Sequence, residues 1–73
     1  MAKGEIRYNA HKDRLEIQSP RGCQPLSHGE RIELRIGRRW TPCVVLYDGG
    51  EWHVELAEQP PDIHFHGLEA QTI

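Results

Sequence analysis

Long apolar runs are missing from this sequence. The longest, Cys43 to Tyr47, falls far short of the roughly 20 residues that a membrane-spanning helix needs. Cysteine is scarce: Cys23 and Cys43 are the only two, and without a CxxC spacing a zinc ribbon is excluded. No stretch sustains helical periodicity, and no tract is repetitive or of low complexity. Lysine and arginine are absent after Arg39. The opening Met1-Ala2-Lys3-Gly4-Glu5 lacks the apolar core of a secretion signal, so the expected compartment is the cytoplasm, with two free thiols rather than a disulfide.

What is present fits a single small domain spanning residues 1–73. A chain of 73 residues with 37% hydrophobic and 27% charged side chains has room for one core and little for a deep cleft. The formal net charge of −2 argues against a strongly basic nucleic-acid clamp. Its distribution is uneven. All nine Lys and Arg lie between Lys3 and Arg39, whereas residues 40–73 carry Asp48, Glu51, Glu55, Glu58, Asp62 and Glu69. Such asymmetry reads either as two surfaces with different partners or as charges interleaved across one sheet.

The hydrophobic pattern has period two. Ile6 and Tyr8 alternate with Glu5 and Arg7, and after a turn at residues 9–13 Leu15 and Ile17 alternate with Arg14, Glu16 and Gln18. Residues 19–25 read as a Pro- and Gly-containing loop that Leu26 would pin to the core, and Gly29 invites a positive φ. Ile32, Leu34 and Ile36 share one face of the clearest strand, with Arg31, Glu33 and Arg35 on the other. A second hairpin returns through Trp40. A two-residue turn at Gly37-Arg38 sets Trp40 opposite Arg35 on the charged face; a three-residue turn with a bulge sets it opposite Ile36 in the core. Pro42 marks an edge or a bulge, and Asp48-Gly49-Gly50 is a turn. Trp52, Val54 and Leu56 read as inward, Phe65 as buried, and residues 67–73 as a terminal strand. The predicted fold is all-β, a small antiparallel, partly open SH3-like barrel of five or six short strands.

Gly4-Glu5-Ile6-Arg7-Tyr8-Asn9, Leu26-Ser27-His28-Gly29-Glu30-Arg31-Ile32-Glu33, Arg39-Trp40-Thr41-Pro42, Glu51-Trp52-His53-Val54 and Gly67-Leu68 together resemble the short bacterial and mobile-element proteins of domain-of-unknown-function family 5348. Two positions depart from that pattern: Ser27-His28 stands where the family commonly has His-Cys, and His53 follows the second Trp where it commonly has Tyr. The resemblance implies one compact domain and a phage or mobile-element setting, and assigns no chemistry.

Candidate sites follow from residue type. Arg35, Arg38, Arg39 and Trp40 combine cations with an aromatic ring, as both nucleic-acid stacking surfaces and protein-binding hot spots do. The alternative is a core Trp40 with solvated turn arginines. Glu51, Glu55, Glu58 and Asp62 form an acidic set able to imitate nucleic-acid charge. His64 and His66 are weak metal candidates at strand spacing, and two ligands do not make a site. Adjacent Ser27 and His28 would point apart on a strand, so no nucleophile–base pair is read there. The expectation is a non-enzymatic module without a cofactor that binds a protein, for instance a host defence complex that it inhibits. The alternatives are nucleic-acid binding through the basic and aromatic residues and, more remotely, metal binding; no membrane association is expected.

Overall fold

The computed structural model describes residues 2–56 and 65–73. Among these residues there are seven strands and no helix. They are β1 (Lys3–Asn9), β2 (Arg14–Ser19), β3 (Gly22–Pro25), β4 (Arg31–Ile36), β5 (Arg39–Asp48), β6 (Glu51–Leu56) and β7 (Glu69–Thr72). All pair antiparallel in one open sheet of order β3-β2-β1-β7-β4-β5-β6. Two three-stranded meanders, β1-β2-β3 and β4-β5-β6, are thus joined side by side by the C-terminal strand. The shortest dimension is 18 Å, too thick for one flat layer, so the sheet curls around its inner face.

Local chemistry accounts for the turns. Gly37 (φ 65) occupies the first central position of the two-residue β4–β5 turn, where a primed turn requires a positive φ. Both Gly49 and Gly50 have positive φ and close β5 onto β6. The segment read as a loop at residues 19–25 departs from expectation. Only Pro20 and Arg21 turn; Gly22–Pro25 pairs with β2 as an edge strand, raising the strand count to seven. An exposed edge tolerates its low β-propensity and its Pro.

Alternation fills the inner face with Ile6, Leu15, Ile17, Ile32, Leu34, Cys43, Val45, Val54, Leu56 and Ala70. Leu26 and Phe65 are buried with them, as expected, and Ile36, Trp52 and Leu68 pack at the margin. Both thiols are free; burial pushes that of Cys43 above its ordinary pKa, while Cys23 is exposed. At the centre Gly4 stands opposite Ala70, which stands opposite Leu34. A Cβ built on Gly4 would collide with the Gln18 carbonyl oxygen and lie 3.2 Å from the Ser19 Cβ. Backbone therefore fills the space that a side chain would need, and the sheet bends most easily where its inner-facing residues are smallest.

The outer face holds the one buried charged residue among those described. Glu16 is 1% exposed, beneath a layer of side chains rather than in the core. Arg14 bonds its Oε2 through Nε and through a second nitrogen, both at 2.7 Å; Asn9 donates to Oε2 at 3.0 Å and Gln18 to Oε1 at 3.2 Å. Burial works to raise its pKa, but these hydrogen bonds and the Arg14 charge outweigh it, and the pKa lies below the ordinary 4.5.

Two predictions follow from this packing. Gly4→Ala should destabilise by about 2 kcal/mol or more, lowering the melting temperature by roughly 10 °C; an unchanged melting curve contradicts the close approach. A depressed carboxylate pKa stabilises the fold above the unfolded value and loses that contribution as pH falls through 4.5 towards the folded value. Urea titrations of native protein and Glu16→Gln should therefore differ most near neutral pH and converge in acid. A difference independent of pH argues against the ionised network.

Candidate functional site

The two-residue turn decides the position of Trp40. It closes on the pair Ile36↔Arg39, so Trp40 stands opposite Arg35. Ile32 and Leu34 face the core, so Arg31, Glu33 and Arg35 face outward, and Trp40 with them. Trp40 is half-buried on this outer face, with the Lys3 ammonium 5.5 Å from its ring centroid. Lys3 belongs to β1, three strand spacings from β5, so its side chain and the indole reach towards each other across β7 and β4. Between them Gln71 stands opposite both Lys3 and Glu33 and donates to Glu33 Oε1 at 2.7 Å.

Pro42 shares this face, opposite Glu33. Hydrogen-bonded and non-bonded pairs alternate from the turn, so its nitrogen points away from β4, towards β6. Among the described residues the β5–β6 ladder ends one step earlier, at Cys43↔Leu56. The imide thus stands where β4 asks for no donor, consistent with the edge reading.

The structure brings only part of the sequence-derived set together. Arg35 and Trp40 are cross-strand neighbours, and Arg38 is exposed in the adjoining turn. Arg39 is opposite Ile36, which packs on the core, and so lies on the other side of the sheet from Trp40. Adjacent strand residues alternate faces, and that separates them. The acidic candidates lie elsewhere. Glu51 and Glu55 are exposed on the outer face of β6, opposite Asp48 and Val44. Trp40 and Asp48 stand near opposite ends of β5, about 25 Å apart at strand rise. Glu58, Asp62 and His64 lie outside the described residues. His66 stacks on Phe65 with ring centroids 4.4 Å apart. Among the described residues no three His, Cys, Asp or Glu side chains gather as metal ligands.

The surroundings of Trp40 carry both signs. Glu5 pairs with Arg7 at 2.8 Å, Glu33 lies between Arg31 and Arg35 along β4, and the β4–β7 register continued by one step sets Glu69 beside Arg35. Ser27 and His28 lie in the loop entering β4, where Gly29 takes φ 86 as expected. Side chains here serve the backbone: Glu30 Oε1 accepts from the Ser27 amide at 3.0 Å, and His28 Nδ1 accepts from the Tyr47 amide at 2.9 Å. A hollow of about 580 Å³ opens beside β3, where Lys3, Arg21, Ser19 and Cys23 meet without a carboxylate or imidazole among the described residues. Among the described residues no helix is long and apolar enough to cross a membrane.

Sequence reasoning missed Lys3. Nothing local connects it with Trp40, 37 positions away; the contact exists because β7 lies between β1 and β4. A double-mutant cycle with Lys3→Ala and Trp40→Leu should give a coupling of about 0.5–1 kcal/mol, weakening little in salt because ring and ammonium are in contact. Zero coupling would remove Lys3 from the site.

Comparison with known proteins agrees with this architecture. No curated protein matches the chain. A crystal structure of a protein from Ruminococcus gnavus superposes with a TM-score of 0.77 at 18% identity, covering 97% of this chain and 100% of that one. At that identity the likeness concerns the fold alone. The family profile described as "Domain of unknown function (DUF5348)" matches residues 4–71, nearly the whole chain. The chain belongs to this family.

Proposed function

We propose that this domain is a non-enzymatic binding module that contacts a protein partner through the outer sheet face centred on Trp40. The observation that carries the reading is the outward, half-buried indole, flanked by Arg35 across the hairpin and by the Lys3 ammonium over its ring. An aromatic ring beside arginine supplies a large contact area at low entropic cost, the composition of an interface anchor. The charges around it alternate in sign through Glu33, Glu69 and Glu5, which suits a surface of mixed polarity and opposes a polyanion. The acidic residues Glu51 and Glu55, at the far end of β5, are a second surface rather than part of this one. In the mobile-element or phage setting that the family resemblance implies, the contact would act by occluding a host complex.

The second reading, nucleic-acid binding, draws on the same cations: a base would stack on Trp40 while Lys3, Arg35 and Arg38 held phosphates. Salt separates the two. The native domain, Trp40→Ser, Arg35→Glu and Glu51→Gln are immobilised and exposed to host lysate, and each is titrated with labelled DNA and RNA at low and moderate salt. The expected result is a protein bound by the native domain and Glu51→Gln, and weakened about thirty-fold by Trp40→Ser. A bound protein indifferent to Trp40 overturns the reading. Nucleic-acid affinity that collapses as salt rises favours the alternative.

A further inference from the structure

At the end of the inner face remote from Trp40, the β1–β2 and β5–β6 turns border a second hollow, open to solvent, of about 270 Å³. Tyr8, Leu15, Gly50, Glu51, Trp52 and His66 line it. Tyr8 is 44% exposed and neighbouring Tyr47 39%, which makes them the two aromatic residues left most open to solvent. The polar ends of Tyr8 and Trp52 are nevertheless fixed. The Tyr8 hydroxyl donates to Asp13 Oδ1 at 2.7 Å, and the Trp52 indole N–H donates to the Asp13 carbonyl at 3.0 Å. Asp13 holds both rings from a left-handed backbone conformation (φ 49) that a short polar side chain tolerates. Tyr47 packs against Trp52 with centroids 4.8 Å apart and planes tilted by 51°, and His66 is stacked on Phe65. With hydroxyl and indole N–H tied to Asp13, Tyr8 and Trp52 line the hollow with both of these donors already engaged.

The charge of the surroundings selects a ligand. Glu51 is at the rim, its side chain on the outer face with that of Asp48 at the end of β5, and Asp13 in the β1–β2 turn is bonded to both rings. No Lys or Arg lines the hollow: Arg14 is drawn to the outer face by Glu16, and Lys12 is exposed on the turn. Ring faces attract cations through their quadrupole, and a cation sheathed in methyl groups needs no hydrogen bonds from its host. The volume lies below the roughly 300–1,000 Å³ of pockets for drug-sized ligands, a size for one headgroup.

We propose that this end of the domain is an aromatic cage for a quaternary ammonium group, with Tyr8 and Trp52 as its aromatic walls and Asp13, bonded to both, as the balancing charge. The site is independent of the Trp40 surface and stands whether or not that surface binds protein. Tetramethylammonium, choline and the neutral carbon isostere of choline are titrated into the native domain by calorimetry and by NMR of the two indole N–H signals. Both cations should saturate and shift the Trp52 signal, the isostere binding at least tenfold more weakly. Tyr8→Leu, at an exposed position that the core does not need, should lose tenfold or more, Asp13→Asn a few-fold, and Trp40→Ser nothing. Absence of saturation, an isostere that binds equally well, or cation affinity unaltered by Tyr8→Leu would overturn the proposal. Should Tyr8→Leu fail to fold, the cation-against-isostere comparison on the native domain decides it. A trimethyl-lysine peptide beside its unmethylated form identifies the source: tighter binding than choline assigns the group to a protein side chain, and weaker binding to a free small molecule.

Discussion

β7 holds the two meanders of the sheet together. It pairs with β1 from Lys3↔Gln71 to Glu5↔Glu69 and with β4 from Ile32↔Thr72 to Leu34↔Ala70, so it is bonded on both sides. The ladder runs on past its ends: Ile6 donates to the Leu68 carbonyl at 3.0 Å, Gly67 to that of Ile6 at 2.8 Å, and Thr72 to that of Ala2 at 2.9 Å. Neither meander covers its own apolar face. Each covers the other's, because the strand between them lets the sheet bend at Gly4 and Ala70.

Both surface features descend from that arrangement. Placing β7 between β1 and β4 sets β1 three spacings from β5, and on the outside the long Lys3 side chain reaches Trp40. The same placement also brings the β1–β2 turn against β6, where Trp52 meets Asp13. The outer contact joins side chains of opposite character on an open face. The inner one locks aromatic side chains through hydrogen bonds to Asp13. Glu16 serves a more local end, tying Asn9, Arg14 and Gln18 over the outside of the first hairpin.

Local signals were the legible ones. The alternation of Ile32, Leu34 and Ile36, the inward Trp52 and the Gly49-Gly50 turn rest on neighbouring residues, and the all-β antiparallel class follows from them. The sequence left Trp40 between two registers, and Gly37 at the first turn position selects the outward one. The strand Gly22–Pro25 escaped notice because its residues have poor strand propensity and pair only by edge addition to β2. The segment Glu69–Thr72 was readable as a strand, but not its central place, since pairing partners more than thirty positions away leave no mark on its own residues. Among the candidate residues, alternation separates Arg39 from Trp40, and strand length separates Glu51 and Glu55 from both. Burial of Glu16 was invisible for another reason: a charged outward position reads as solvated until its covering neighbours are known.

Native-state amide hydrogen exchange tests the dependence on β7 most directly. If β7 is the element on which both meanders rely, the hydrogen-bonded amides of β7, β1 and β4 exchange only through global unfolding and share one opening free energy, equal to that from denaturant. Exchange of the β7 amides at a markedly lower free energy, with the β1–β2 and β4–β5 hairpins still protected, would contradict the account.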